Sequence, residues 1–460
     1  MSYAQQCPTL VYEVVPDRFD PMNGGAPLVR VRERLPHLER FGVDGLVLTP
    51  VFPGADPLRL HCRDYFSIDP ALGTEQDLVE LCEAARLRGI QVMLMAAFDH
   101  VSHTHPWFVT AQAHVGDESQ YPPEQRTRAF FRFGDEFPRG YASRDDDGEE
   151  PDLDLTSAQA RRLLFTGENS VMHRWLHTGV RGWRLLRADA LGYSILRETS
   201  RGSLTVSDDR FVMGDIKGFA DRYIKDGLLD GVVNHYLREG LVSYLRGQVP
   251  ARQVARMLKD LSDRYGRALT RCWNILSGHD LPRLDELLGD ERRALLAASL
   301  GHTLPGCAHV FYGEEVRLSA RGGAGQPANM TWEERRWDPR RLSLYERLGR
   351  LRRDRVALQS GGFVDLTPEG EDEILAFARV TADPRETVIV AANRAAQVRV
   401  RKLFAPVCDL PDGLKLRDAL EGPGATVRSG SVTLEIPEHS ARVLVPDEND
   451  PAGARFFRGY

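Results

Sequence analysis

Several things are scarce in this sequence, and each shortage narrows what the chain can be. Six cysteines (Cys7, Cys62, Cys82, Cys272, Cys307 and Cys408) are scattered over 460 residues without a CxxC pair. That spacing fits neither a disulfide-stapled module nor a cysteine-ligated zinc site, so reduced thiols are expected. Only five of the 60 basic residues are lysine, and basic and acidic residues (60 against 66, net −6) are mixed along the chain. No basic face is left for nucleic acid. Long apolar runs are missing as well: the longest, Ile90 to Phe98, is strand-length and contains Gln91. The opening MSYAQQCPTL has no basic start followed by an apolar stretch. A cytoplasmic chain that neither spans nor enters a membrane is expected.

What is present is a folded-protein composition, 42% hydrophobic and 27% charged, over a length that suits one large barrel with an appendage. Short apolar runs alternate with helix-period segments, the pattern of a parallel sheet with crossover helices. Eight strands are predicted: Leu10 to Val15, Gly45 to Thr49, Gln91 to Phe98, Gly182 to Leu186, Phe211 to Gly214, Leu228 to Val233, Cys272 to Leu276, and Ala308 to Tyr312. They predict a (β/α)8 TIM barrel over residues 1–100 and 156–359. Residues 101–155, rich in Pro, Gly, aromatic and acidic residues, read as an inserted subdomain after strand 3, because a structureless loop that long is improbable. Alternating segments such as ILAFARV, TVIVAAN and SVTLEI predict a C-terminal antiparallel β-sandwich over 360–448, followed by a tail at 449–460.

The motifs give this architecture a likeness. VYEVVPDRF (11–19), FGVDGLVLTPVF (41–52), DYFSIDPALGT (64–74), EPDLDL (150–155), GWRL (182–185), MGDI (213–216), LDGVVN (229–234) and NILSGHDLPR (274–283) follow one another over nearly the whole chain. In order and spacing they resemble the alpha-amylase family of glycoside hydrolases, in particular its neopullulanase and cyclomaltodextrinase branch, without that branch's extra N-terminal domain. The resemblance implies retaining chemistry on α-glucosidic bonds, with a nucleophilic carboxylate and an acid about 5 to 5.5 Å apart at the barrel mouth. An α-glucan or related oligosaccharide is the implied ligand.

The sequence departs from that pattern where the chemistry should sit. The nucleophile position of the family's GxRxD motif is occupied by Leu186; a three-residue shift would offer Asp189 as a fallback, but the ungapped alignment keeps Ala188 and Arg197-Glu198 in register. Asp215 replaces the glutamic acid/base and is one methylene shorter. Met95 replaces the first Asp of the third-strand motif, and Leu60 and His61 stand where the family has Tyr and Asp. Kept are His100, Arg184, and the His279-Asp280 pair, which in the family bind substrate in the transition state. A leucine can form no glycosyl ester, and loss of a nucleophile costs roughly 5 kcal/mol or more of transition-state stabilisation. Ordinary retaining hydrolysis is therefore expected to be weak or absent.

Three functions remain open at this point: a degenerate family member that binds sugar through Arg184, His100, His279, Arg283 and Trp332; an enzyme of non-standard, inverting type using Asp215 and Asp280; and an interaction protein. The run Asp99, His100, His103, His105 has imidazole and carboxylate ligands but no zinc-motif spacing, so no metal is assigned there. The resemblance leaves room for a structural calcium at Asp99, which replaces an Asn that often binds it. No other cofactor is expected. The aromatics Trp107, Phe108, Tyr121, Phe130, Phe131, Phe133 and Tyr141 read as the small core of the insertion, with sugar stacking as the alternative.

Overall fold

The structure, a computed structural model, describes residues 7–22, 24–114, 116, 118–120, 122, 126–144, 148–204, 206, 210–319, 327–447, 450–451 and 457. Eight parallel strands close into a barrel: β1 (Leu10–Val14), β2 (Gly45–Leu48), β3 (Gln91–Ala96), β4 (Gly182–Leu185), β5 (Phe211–Ile216), β6 (Gly231–Asn234), β7 (Trp273–Asn274) and β8 (Cys307–Phe311). Closure comes from β1 pairing with both β2 and β8, with Leu10 opposite Ala308 and Val11 opposite Gly45.

The period of two explains why these strands are almost continuously apolar. Leu10, Tyr12, Val14, Leu46, Leu48, Val92 and Leu94 face the surrounding helices, whereas Val11, Val47, Met93, Met95, Met213, Val233 and Trp273 fill the lumen. Both faces are buried, as in other barrels of this kind. Several predicted boundaries move: the third strand ends at Ala96 rather than Phe98, the fifth runs on to Ile216, the seventh shrinks to Trp273–Asn274, and the sixth starts at Gly231 rather than Leu228. The backbone N–H groups of Leu228 and Leu229 donate to Tyr223 O and so finish the preceding helical turn.

The insertion between β3 and β4 is built on the helix Pro106–Ala113, whose N-terminus is capped by His105 Nδ1 accepting from the Trp107 N–H at 3.0 Å. Phe108, Phe131, Phe133 and Tyr141 pack ring against ring, with the Arg128 guanidinium 4.2 Å from the Phe133 centroid. These aromatics therefore form the core of the insertion. Trp107 and Phe130, together with Phe66, instead line a cleft of about 460 Å³ against residues 159–170. Tyr121 lies outside the described residues.

Beyond the barrel, β9 (Gly362–Asp365), β10 (Ile374–Val380), β11 (Val388–Asn393), β12 (Arg399–Phe404), β13 (Lys415–Asp418), β14 (Ala425–Thr426), β15 (Ser431–Ile436) and β16 (Ser440–Pro446) form an antiparallel sandwich. One sheet runs β14-β13-β16-β11-β10-β9, and the other is the β12-β15 pair. Ile374, Ala376, Ile389, Leu403, Leu416, Val432, Leu434 and Leu444 make its separate core.

The sandwich is fastened to the barrel by polar groups aimed at helix ends. Arg379, fully buried, donates to the carbonyls of Thr303, Leu358 and Gly361, which end two barrel helices. Burial pushes its guanidinium down to about 9. The Tyr244 hydroxyl lies 2.8 Å from Glu373 O and 3.0 Å from Ala392 O.

Candidate active site

Three strands each turn one charged side chain into the lumen, and these meet at its centre. Arg184 on β4 donates from Nη1 to Glu13 Oε2 on β1 at 2.5 Å. Its Nε and Nη2 reach Asp215 Oδ1 and Oδ2 on β5, each at 3.0 Å. Glu13 Oε1 accepts from the His279 backbone N–H and from its Nδ1, both at 2.8 Å, and Glu13 Oε2 lies 2.9 Å from His309 Nε2. Arg184 and Glu13 have no exposed surface.

Buried charges persist only when compensated, and here the compensation can be followed group by group. Burial alone would raise Glu13, yet Arg184 and then His279 and His309 hold its carboxyl well below the usual range. Burial would lower His279, but Glu13 raises it, so the imidazolium is favoured. His309 goes the other way, lowered by burial despite its bond to Glu13. Two acidic side chains, Glu13 and Asp215, thus meet one guanidinium, while His279 and His309 each reach Glu13 through a ring nitrogen.

The residues singled out from the sequence fall into different places. Leu186 is buried and belongs to the lumen's apolar cluster with Met95, Ala97, Trp273 and Ile275. Asp189 does not reach the lumen. The chain turns at Arg187, which takes the left-handed conformation at φ 49°, and Asp189 lies exposed on the short helix Ala188–Leu191. There its charge acts on Tyr223. The three-residue shift is therefore not the register that the fold adopts. Asp215 gives both oxygens to one guanidinium, so donating a proton from it requires opening that fork. Asp280 is exposed, its Oδ1 3.9 Å from His279 Nδ1.

His100 is fully buried, with Nδ1 2.9 Å from Asp99 Oδ1, and Arg187 Nε is 3.2 Å from Asp99 Oδ2. Burial would raise Asp99, but His100 and Arg187 hold it low. His100 Nε2 is 3.7 Å from Glu150 Oε2, and Glu150 Oε1 is 2.5 Å from His61 Nε2. Arg283 and Trp332 are engaged by the protein itself. Arg283 donates to Tyr312 O at 2.8 Å and lies over the Phe311 ring; Trp332 Nε1 donates to Phe19 O at 2.6 Å under the Arg34 guanidinium.

Sequence reasoning passed over Glu13, His309 and Glu150. The signal for Glu13 was present: it is the one charge in LVYEVV, a strand buried at every position. Glu150 heads the EPDLDL motif, and its reach to His61 depends on how the insertion folds back.

Calcium does not fit at Asp99. Calcium takes six to eight oxygen ligands, whereas both oxygens of Asp99 already face His100 and Arg187. The histidine run also diverges: His103 pairs with Glu149, and His105 caps a helix, where burial lowers it to about 4. Among the described residues no group of three His, Cys, Asp or Glu side chains could hold a metal ion. No helix among them is long and apolar enough to cross a membrane.

Known proteins share this chain's fold and part of its sequence. The family described as alpha amylase, catalytic domain, matches residues 13–345. A cyclomaltodextrinase of Bacillus sp is 28% identical over 374 residues, covering 80% of this chain and 66% of the relative. Neopullulanase 2 of Thermoactinomyces vulgaris is 25% identical over 467 residues, covering 95% of this chain and 77% of the relative. Among solved structures, Ttha1563 of Thermus thermophilus superposes with a TM-score of 0.83 at 26% identity, covering 97% of this chain and all of that one. A cyclic alpha-maltosyl-(1-->6)-maltose hydrolase of Arthrobacter globiformis shares the fold, with a TM-score of 0.80 at 20% identity, covering 97% of this chain and 99% of that one. With its barrel, its inserted subdomain and its family match over residues 13–345, the chain belongs to the alpha-amylase family.

Proposed function

We infer that this chain binds an α-glucan or related oligosaccharide at the barrel mouth and performs little or no ordinary retaining hydrolysis. One observation carries the reading. The side chain at the nucleophile position is Leu186, buried among apolar lumen residues, and the nearby carboxylate Asp215 is committed by both oxygens to Arg184. An oxocarbenium-like centre would meet an isobutyl group there, where retaining chemistry needs an attacking oxygen. Polar groups for sugar hydroxyls remain in His61, Glu150, Asp280 and Arg187, each with exposed surface. A cytoplasmic location fits the reading, and a relative at 24% identity is named an intracellular maltogenic amylase of Bacillus subtilis.

A second reading has its own support, because the relatives are named as hydrolases of this class. In it, Asp215 and a further carboxylate at the mouth act in a non-standard set. Two measurements separate the readings. Calorimetry with maltotetraose is expected to show binding, and no heat at millimolar sugar would remove the first reading. Long incubation with an aryl α-maltoside is expected to give no product above the spontaneous rate. Steady turnover abolished by Asp215→Asn would establish the second reading in its place.

A further inference from the structure

We propose that Glu13 supplies to Arg184 the negative charge that a nucleophile at position 186 would otherwise bring, so that the lumen closes its charge balance without one. The proposal rests on reading Leu186 as the nucleophile position. Its premise is geometric: the one guanidinium of Arg184 is already met by two acidic side chains, with Nη1 2.5 Å from Glu13 and with Nε and Nη2 each 3.0 Å from Asp215, and His279 Nδ1 lies 2.8 Å from Glu13. Exposed Asp280, His309 and His235 also face them, His235 acting on Asp215, Arg184 and Asp280. Positions 184 and 186 lie on one face of the same strand line, and Leu186 packs in the lumen cluster.

A carboxylate added at 186 would therefore be a third negative group beside one guanidinium, in a region where uncompensated charge is costly. Glu13 is a positioning residue in this account, since it has no exposed surface and reaches a ligand only through Arg184 and His279. The consequence is specific. A single change at 186 gives only a weak nucleophile, whereas the exchange Leu186→Asp with Glu13→Gln moves the charge and keeps the balance.

The test compares wild type, Leu186→Asp, Glu13→Gln and the double variant, with Leu186→Asn as the uncharged control in both backgrounds. The first readout is the urea midpoint. The double variant is expected to lie well above the sum of the two single shifts, and the Asn control is expected to show no such coupling. The second readout is fluoride release from α-maltosyl fluoride. Here the carboxylate introduced by Leu186→Asp attacks the anomeric carbon, the C–F bond breaks, and fluoride leaves unprotonated; water then hydrolyses the ester, freeing the sugar, the carboxylate and a proton. The double variant should release fluoride on the order of tenfold faster than Leu186→Asp alone.

Additive midpoints, or equal coupling in the Asn series, would overturn the proposal. So would failure of both Asp variants to fold while both Asn variants do. The midpoint cycle involves no sugar, so a wild type that binds no maltotetraose would remove the functional reading and leave this result standing.

Discussion

The Arg184 guanidinium meets the Asp215 carboxylate edge on, two parallel hydrogen bonds of 3.0 Å joining Nε and Nη2 to Oδ1 and Oδ2. The pair is buried, and removing Arg184 strands Asp215 while it also takes the guanidinium from Glu13. Arg184→Leu should lower stability by about 3 to 5 kcal/mol. Arg184→Lys, which keeps the charge and loses the fork, should lower it less. Urea unfolding at pH 7 reads both.

The Glu13–His279 contact gives stability a defined pH window. Glu13 is held below its ordinary 4.5, so its contribution is full above that pH and is lost as pH falls through the depressed folded value. His279 is raised above 6.5, so its contribution is full below that pH and is lost as pH rises through the raised one. The stability gap between wild type and Glu13→Gln/His279→Asn should be widest between about pH 4.5 and 6.5. A gap that is flat across pH 4 to 9 would contradict this.

His105 acts in the opposite sense. Burial lowers it from 6.5 to about 4, so the unfolded chain takes up the proton first and stability falls as pH drops through that range. The loss should approach roughly 3 kcal/mol at pH 4. Asn caps a helix without titrating, so His105→Asn should remove this slope. His302, lowered to about 4 by the same cause, should keep its own.

Trp332 packs edge to face with Phe19 and His37 while Arg34 covers it at 4.0 Å. Trp332→Ala should cost roughly 3 kcal/mol in unfolding free energy. Calorimetric binding of maltotetraose should stay unchanged, because the indole N–H already serves Phe19 O.

The barrel was legible because strands buried on both faces leave short apolar runs, and all eight fall where those runs are. Strand ends were less so: nothing local in LDGVV tells that Leu228 and Leu229 close a helix before the strand begins. At the site, identities were readable and partners were not. Arg184, His279 and His100 could be picked out from motifs, but their counter-charges come from Glu13, 171 and 266 residues away in the chain from two of them, and from Asp99 next door. Glu150 came to notice only as part of a motif, since its approach to His61 is made by the fold of the insertion.

Arg379 and Tyr244 give the C-terminal module a role in the rest of the molecule. The carbonyls they hold include the last groups of barrel helices, Glu373 just before β10, and Ala392 of β11. Pulling the two bodies apart would leave a buried cation and several helix-end acceptors without partners at the same moment. Barrel and sandwich are in that sense one melting unit, and the sandwich serves as a clasp on the cylinder.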